Sequence, residues 1–456
     1  MRCTRLRFRN TEVSPPAPAV KHRSRQHASS PAPRAPSLGY HVHVSPRGNH
    51  PMSQEQKLHV NILSPEFHVN PYPLYKQLRE QEPVYWSEET RHWLLTRYED
   101  VQVALRDTTR FSSQSSETFV VRDDFMQHLR PIITHFSMWA VMKDNPEHKR
   151  LRGLINQAFR PDNVKDIHLR AQQTADWLID QVYDRGEMDF VNDYAYALPA
   201  LLFAVEILGM DRGDLPTFKT WSVDLARATG RIDNLEIMLK GQDALLAMTD
   251  YLTRAINERI ERPREDFISY LVKAWREESK LTLEEVVAQM VLLLAGGHTT
   301  TQNVISTGLL AMFKHPAQME RMRKNPQINR AAGEELYRFT SPAQAPTRIA
   351  ACDFELGGKQ IQKGQGIMPM VAAANRDPAF FERPDELDLT REKNPHLGFG
   401  TGIHVCPGAF LARAEIPVAF ETLLRRMPDI RPKSDLEDWN MNLSFRGLST
   451  FPVCWS

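Results

Sequence analysis

The distribution of apolar and polar residues along the chain predicts a mainly helical protein with a small β component. From about residue 100 to residue 325, most segments repeat apolar residues at three- and four-residue intervals, as in HKRLRGLINQAF and EDFISYLVKAWREE, which is the period of an amphipathic helix. Two segments alternate instead and predict β-hairpins, PVYWSEETRHWLLTRY and DFELGGKQIQKGQGIMPM, the second turning at Gly357-Gly358. We therefore expect one large, mainly α domain with a small β lobe.

One predicted helix, near residues 283–313, is apolar along most of its length. It opens with Thr282-x-x-Glu285, a capping box in which each side chain satisfies a free backbone N–H, and it carries no formal charge from Val286 to Phe313. Its centre, GGHTTTQN, is polar, whereas a bilayer would demand apolar side chains there. We therefore expect a helix buried in protein, no membrane anchor, and no other segment that approaches a membrane span.

The first 51 residues differ from the rest of the chain in composition. They carry nine Lys and Arg against one acid, are rich in Pro and Ser, and show no apolar period, which is typical of a disordered tail. Residues 52–456 would then form the folded domain. The tail is either an organelle transit peptide or sequence upstream of a true start at Met52, the interpretation that we favour.

Charge and cysteine content restrict the possible function classes. The other 405 residues hold 48 bases and 55 acids, so the folded domain is acidic, which argues against nucleic acid as a partner. The four cysteines (Cys3, Cys352, Cys406 and Cys454) are widely scattered and include no C-x-x-C pair. That pattern favours a reducing compartment over a disulfide framework, and we expect the protein to be cytoplasmic.

The segment HLGFGTGIHVCPGAF, residues 396–410, places three glycines in front of Cys406. A dinucleotide fingerprint is a poor match because Val405 stands where the third glycine belongs. A zinc site would need four ligands, and His404-x-Cys406 supplies two at most. A cysteine hydrolase needs a base that nothing nearby provides, and a buried, inert cysteine also remains possible.

The position of Cys406 favours a metal-bound thiolate. Cys406-Pro407-Gly408 runs directly into the helical pattern AFLARAEIPVAFETLL, with Pro407 suited to the first helical turn. The positive end of a helix dipole and its free N–H groups favour a thiolate. An axial thiolate on heme iron needs that stabilisation and a backbone that lies close to a flat macrocycle, which would explain the glycines.

The sequence resembles the cytochrome P450 superfamily, the heme-thiolate monooxygenases. FGTGIHVCPG matches the family's F-x-x-G-x-x-x-C-x-G loop. Four further matches follow the family's order: HKRLR (148–152), AGGHTTT (295–301), EELYR (334–338) and AAANRDP (372–378). The resemblance extends from about residue 57 to the C-terminus and implies the cytochrome P450 fold of the soluble bacterial type.

The resemblance implies heme b as cofactor, with Cys406 as the axial iron ligand and Phe399 shielding its sulfur. The residues implied to contact the heme propionates are His148, Arg152, Arg348 and His404. Glu335 and Arg338 would form a structural ion pair, with Asn375-Arg376-Asp377 in the same polar network.

The oxygen-binding segment departs from the family pattern Ala/Gly-Gly-x-Asp/Glu-Thr-Thr. We prefer the alignment that puts Thr299 in the acid position and Thr300 at the oxygen-binding threonine. The alternative places His298 in the acid position and makes Thr299 the key residue. Without the acid, protons would arrive through Thr299, ordered water or a substrate group. We expect one helix face to line the substrate pocket: Leu292, Ala295, Gly296, Thr299 and Thr300.

The resemblance implies an O₂-dependent monooxygenase that hydroxylates or epoxidises a lipophilic small molecule, a secondary metabolite. Electrons would come from a ferredoxin- or flavodoxin-type donor with its reductase. Arg391, Lys393 and Arg413 are candidates for its docking face, although the interpretation that we favour for each is an ordinary solvated charge. One alternative is a heme-thiolate enzyme that uses peroxide or rearranges its substrate. An alternative of another class is a non-catalytic heme sensor or carrier.

Overall fold

The computed structural model describes residues 58–116, 123–159, 166–231, 233–278, 281–325 and 329–456. The tail expected at residues 1–51 and the candidate start Met52 lie outside the described residues. The α-helices within these ranges are α1 Pro65–Val69, α2 Tyr72–Gln81, α3 Tyr98–Arg106, α4 Arg130–Ser137, α5 Glu147–Ala158, α6 Ile167–Asp180, α7 Ala197–Ala200, α8 Leu215–Gly230, α9 Leu235–Glu261, α10 Phe267–Glu278, α11 Leu283–Lys314, α12 Pro316–Lys324, α13 Asn329–Thr340, α14 Val371–Ala374 and α15 Ala409–Arg426. The strands are β1 Val84–Ser87, β2 His92–Leu95, β3 Phe111–Ser112, β4 Glu187–Asp189, β5 Arg348–Ala350, β6 Phe354–Leu356, β7 Lys359–Ile361, β8 Gly366–Pro369, β9 Arg431–Pro432, β10 Asp438–Trp439, β11 Leu448–Thr450 and β12 Pro452–Cys454.

The β lobe is built around one five-stranded sheet of order β1-β2-β8-β5-β3. Strands β2 and β8 run parallel, with Trp93 opposite Ile367, and the other neighbours are antiparallel. Both predicted hairpins are present, as β1–β2 and β6–β7. In the second, Gly357 and Gly358 take positive φ angles of 57° and 75°, which side chains with a Cβ rarely adopt.

Helix α11 forms the centre of the α region. Its predicted capping box is present: the Thr282 hydroxyl accepts from the Glu285 amide at 3.2 Å, and the Glu285 carboxylate accepts from the Thr282 amide at 3.0 Å. The helix packs against α5, α7, α8, α9, α13 and α15. This burial on all sides explains why its sequence lacks a charged face.

The expectation about membrane spans is wrong in one respect. Phe190–Ile207 is a helical stretch that is long and apolar enough to cross a bilayer, and it is the one such stretch among the described residues. It is not the helix predicted near residues 283–313. In the structure 72% of that stretch is buried within the protein, where Phe190, Tyr194 and Phe203 belong to the main hydrophobic core. Core helices of this kind satisfy the same length and hydropathy criterion, so the stretch is weak evidence for a membrane span.

Candidate heme-thiolate site

A cavity of about 260 Å³ lies between α5, α11 and the loop that precedes α15. We call it the heme cavity. The sulfur-bearing residue Cys406 lines it from one direction and α11 from another. The α11 residues that line it are Leu292, Leu293, Gly296, Gly297, Thr300 and Thr301. A thiol and a threonine hydroxyl therefore border the same enclosed space.

The loop before Cys406 folds tightly on protein atoms. The Cys406 amide donates to the Phe399 carbonyl at 2.9 Å, and Gly400 and Gly402 take positive φ angles of 69° and 74°. A Cβ on Gly402 would approach the carbonyl oxygen of Leu105, in α3, to 3.0 Å. The expectation that these glycines serve mainly to lie against a macrocycle is therefore incomplete, since Gly402 is required by its packing on α3.

Burial and nearby positive groups have opposite effects on the pKa of the Cys406 thiol. Burial raises the pKa of the thiol, whereas the amides of Gly408 and Ala409 and the positive charges of Arg152 and Arg413 lower it. Those amides and charges favour the thiolate form. Burial is the largest of these influences and raises the pKa of the thiol overall, so a bound cation would be needed to hold the sulfur as a thiolate.

Pro407 lies just before helix α15, and Phe399 is buried beside Tyr337. Helix α15 begins at Ala409 with Gly408 as its N-cap, so the placement of Pro407 in the first helical turn is wrong, because the chain remains in a turn until Gly408. Phe399 is buried, and its ring centroid lies 4.1 Å from that of Tyr337 and 4.6 Å from the Arg413 guanidinium. Tyr337 also lines the heme cavity and was missed, because nothing in EELYR marks that position as facing a ligand.

Basic side chains converge at one end of the heme cavity. His148 is buried and its Nε2 has no hydrogen-bond partner, and its ring centroid lies 4.3 Å from that of His404. Burial, together with Arg348, His148 and Arg152, lowers the pKa of His404 to about 3. Burial also lowers the pKa of Arg348 to about 10.

None of these four basic groups forms an ion pair with another described residue, although Asp144 lies within electrostatic range of His148 and Arg348. Buried charges normally have a partner of opposite sign. The two guanidinium groups, Arg152 and Arg348, therefore fit the carboxylates of a porphyrin, and the unpartnered Nε2 of His148 is a further donor. Arg348 is not among the residues lining the cavity. His404 is positioned by a 2.9 Å contact between its Nε2 and the Ser113 hydroxyl. The sequence around Ser113 does not indicate that this serine belongs to the site.

The expected single pocket-lining face of α11 is wrong, because the five residues divide between two faces. Leu292, Gly296 and Thr300 line the heme cavity. The Thr299 hydroxyl donates to the Ala295 carbonyl at 3.3 Å, and neither residue lines the heme cavity. Thr299 instead lines a cavity of about 650 Å³ between α8, α11 and residues 438–449, which we call the far-side cavity.

The two alignments of the threonine motif predict different geometries. His298 is buried in T-shaped contact with Tyr196 at 5.4 Å, and burial lowers its pKa to about 4. Like Thr299, it lines the far-side cavity. Since Thr300 faces the heme cavity, the geometry favours the alignment with Thr300 at the oxygen position.

Glu335 and Arg338 form a fully buried ion pair with two contacts of 2.8 Å. Arg338 also donates to the carbonyls of Asn375, Pro384 and Glu386. The pair therefore joins α13 to the segment that leads to the cysteine loop.

The three candidates for the docking face differ in their environments. Arg391 is largely buried and donates to Glu335 at 3.1 Å, so the structure does not favour it as a surface contact. Arg413 is exposed but pairs with Glu334 at 2.6 Å. Lys393 is exposed and has no ion-pair partner among the described residues.

A partly buried thiol opposite a hydroxyl, with basic side chains near one end of the cavity that form no ion pair with a described residue, is the arrangement expected of a heme-thiolate protein. A family model for cytochrome P450 matches residues 58–442. The polyketide biosynthesis cytochrome P450 PksS of Bacillus subtilis is 34% identical over 413 residues, covering 88% of this chain and 100% of that protein. The biotin biosynthesis cytochrome P450 of the same organism is 34% identical over 399 residues, covering 86% of this chain and 98% of that protein.

Solved structures agree with these relatives. The crystal structure of P450BioI in complex with an acyl carrier protein ligated to hexadec-9Z-enoic acid has a TM-score of 0.79 and 31% identity, over 86% of this chain and 99% of that one. The chain belongs to the cytochrome P450 family. It is an oxidoreductase of the monooxygenase type whose cofactor is heme b.

Proposed function

We propose that this monooxygenase hydroxylates or epoxidises a lipophilic secondary metabolite with O₂, through the residues that border the heme cavity. The observation that carries the proposal is that Thr300 and the partly buried Cys406 line one cavity. When bound there, heme supplies the activation of O₂. Cys406 is the proposed iron ligand, and His148, Arg152, Arg348 and His404 are the proposed propionate partners.

Thr300 is the residue that we assign to the oxygen side. Its hydroxyl can donate a hydrogen bond into the heme cavity. It can also accept a proton from a second donor and pass a proton on to the bound oxygen. Thr299, one residue earlier, faces the far-side cavity, whose lining includes the polar side chains of Gln302 and Asn303. We propose that protons enter through that cavity and the Thr299 hydroxyl, which would replace the missing carboxylate.

The proposed substrate class follows from the walls of the heme cavity. Phe159, Phe203 and Leu292 give it a largely apolar lining, which favours a lipophilic molecule. The names of the relatives support a secondary metabolite, since PksS is assigned to polyketide biosynthesis. We propose that a separate ferredoxin- or flavodoxin-type protein supplies the electrons, because no residue in the described part of the chain is assigned to a flavin or an iron–sulfur cluster. We also propose a cytoplasmic location.

The test of this proposal is the yield of product per electron consumed. In the Thr300→Ala variant, supplied with reductase, ferredoxin and O₂, we expect electron consumption to continue while product per electron falls at least about tenfold. The matched control is Ser306→Ala, which removes a buried hydroxyl from the same helix outside the heme cavity. An unchanged yield in Thr300→Ala would contradict the proposed role.

Two further measurements separate the alternatives. The reduced protein with carbon monoxide should show the red-shifted absorption band of a thiolate-bound heme, and its absence would remove Cys406 as the ligand. Turnover with hydrogen peroxide alone that equals turnover with reductase and O₂ would favour a peroxide-using enzyme. Electron consumption that depends on substrate would exclude a non-catalytic sensor or carrier.

A further inference from the structure

A cavity of about 620 Å³ lies apart from the heme cavity, between α2, the C-terminal part of α11, the end of α13 and residues 437–446. We call it the arginine cavity. It shares no lining residue with the heme cavity. Its walls combine aromatic rings with two arginines, Arg376 and Arg446, that are each more than nine-tenths buried.

Arg446 is a buried cation that forms no ion pair within the described part of the chain, although Glu437 lies within electrostatic range of it. Its Nη2 donates to the Val69 carbonyl at 2.8 Å, and its guanidinium lies 3.5 Å from the centroid of the Trp439 ring. Its Nε is buried without a hydrogen-bond partner, and it forms no ion pair with any residue that the structure describes. A guanidinium does not give up its proton at accessible pH, so its burial without an anion is costly.

The acids that line the arginine cavity are already paired with other cations. Asp385 accepts from Arg376 at 3.1 Å, and Glu437 accepts from Lys314 at 2.5 Å. The lining therefore holds two acids against four cations, which are Lys76, Lys314, Arg376 and Arg446. The charge left over is positive and includes the buried guanidinium.

Arg376 extends the positive surface at the cavity wall. Its guanidinium lies between the rings of Tyr72 and Phe339, 3.9 Å from each centroid. Like that of Arg446, its Nε is buried without a partner. Stacking of this kind fixes the plane of the guanidinium. Its terminal nitrogens already donate to Asp385 and to the Phe339 carbonyl, so its Nε is the donor that remains without a partner.

We propose that the arginine cavity binds a small organic oxyanion, a carboxylate or a phosphate monoester with an apolar body. The planar fork of Arg446 matches the geometry of both headgroups. Trp439, Phe339 and the buried α11 residues Leu310 and Ala311 would contact the apolar part. The ligand would supply the negative charge that the described residues do not.

The test uses the heme-loaded protein with its iron saturated by 4-phenylimidazole, so that the heme cavity is blocked. Calorimetric titrations with octanoate and octyl phosphate measure binding of the two anions, and octanamide is the neutral probe. We expect at least one anion to bind about tenfold more tightly than octanamide. Comparison of the two anions then distinguishes a carboxylate ligand from a phosphate ligand.

Arg446→Gln should weaken anion binding about tenfold, whereas Arg97→Gln, which removes an exposed arginine outside the cavity, should not. An unchanged heme absorption spectrum with 4-phenylimidazole would show that Arg446→Gln leaves the heme cavity intact. If Arg446→Gln fails to fold, Ala311→Leu fills the cavity instead and should abolish binding. The proposal is overturned if neither anion binds, if octanamide binds equally well, or if the variants that fold retain wild-type affinity.

Discussion

At the residue scale, Pro407 interrupts the set of backbone donors around the Cys406 sulfur. The amides of Gly408 and Ala409 act on the sulfur, but proline has no N–H to contribute. Because Pro407 precedes the helix N-cap rather than lying inside α15, its replacement would not disturb a helical hydrogen bond. The residue therefore offers a way to change one donor near the proposed iron ligand.

We predict that Pro407→Leu raises the reduction potential of the bound heme. The new amide would donate to the thiolate and withdraw negative charge from it, which stabilises the reduced iron. Spectroelectrochemical titration of the substrate-free protein measures the change. Val405→Leu, which alters apolar volume on the other side of Cys406 without adding a donor, is the control. A fall in potential, or no change, would show that the amide at position 407 does not reach the sulfur.

At the scale of the element, two adjacent glycines in α11 have different neighbours. A Cβ on Gly297 would lie 2.6 Å from the ring of Phe203, which is itself buried in the core. A Cβ on Gly296 would meet nothing within 4 Å and would point into the heme cavity. One glycine therefore allows close packing of α11, and the other leaves space in the site.

We predict that Gly297→Ala destabilises the protein by about 1–3 kcal/mol, because the methyl group overpacks against Phe203. Gly296→Ala is the matched comparison. It should be neutral or stabilising by about 0.5–1 kcal/mol, since alanine favours a helix. Because its methyl group would occupy the heme cavity, however, it should change how the absorption spectrum of the bound heme responds to added ligands. Chemical denaturation measures both free energies, and equal stabilities would contradict the assignment of Gly297 to packing.

Helix α15 contains a buried carboxyl group that has no hydrogen-bond partner for either oxygen. Glu415 is fully buried, and burial raises its pKa to about 8. Its ordinary pKa in the unfolded chain is about 4.3. The folded protein therefore binds a proton that the unfolded chain has lost between these two values.

We predict that Glu415 makes the free energy of unfolding decrease as the pH rises from about 4.3 to about 8, by at most about 1.4 kcal/mol per pH unit. The sign follows because the folded state holds more protons than the unfolded state in that range. Glu415→Gln should remove this component and be more stable than the wild type at pH values near 8. Parallel wild-type and Glu415→Gln profiles from denaturant titrations would contradict the prediction.

At the scale of the whole molecule, local patterns predicted the elements better than their relative placement. The helical period, the capping box at Thr282 and the Gly357-Gly358 turn depend on neighbours in the sequence, and all three are present. The division of Thr299 and Thr300 between two cavities depends on how α11 packs against other elements. Sequence spacing alone could not show it.

The same distinction explains two further differences at the heme cavity. The glycine loop could be recognised from its sequence, but the contact of Gly402 with α3 joins segments almost three hundred residues apart. Arg391 looked like a surface charge because its neighbours in sequence are polar. Its burial is set by Glu335 in α13, which no local pattern indicates.

Glu335 connects several parts of the molecule through one carboxylate. It accepts hydrogen bonds from Arg338, from Arg391 at 3.1 Å, from the Asn394 amide group at 3.0 Å and from the Asp388 backbone amide at 3.0 Å. These donors belong to α13 and to the segment that leads into the cysteine loop. Removing its charge would leave two buried guanidinium groups without their anion.

We predict that Glu335→Gln destabilises the heme-loaded protein by about 3–5 kcal/mol, the cost of breaking a buried ion pair from one side. Because the segment held by Glu335 carries the chain toward Cys406, the variant should also lose heme more rapidly to a heme-scavenging protein. Glu320→Gln, which removes an exposed carboxylate paired with Lys324 at 3.2 Å, should change neither quantity measurably. Guanidinium titration and stopped-flow heme transfer measure the two effects. A destabilised variant that retains heme normally would mean that the ion pair supports α13 without positioning the cysteine loop.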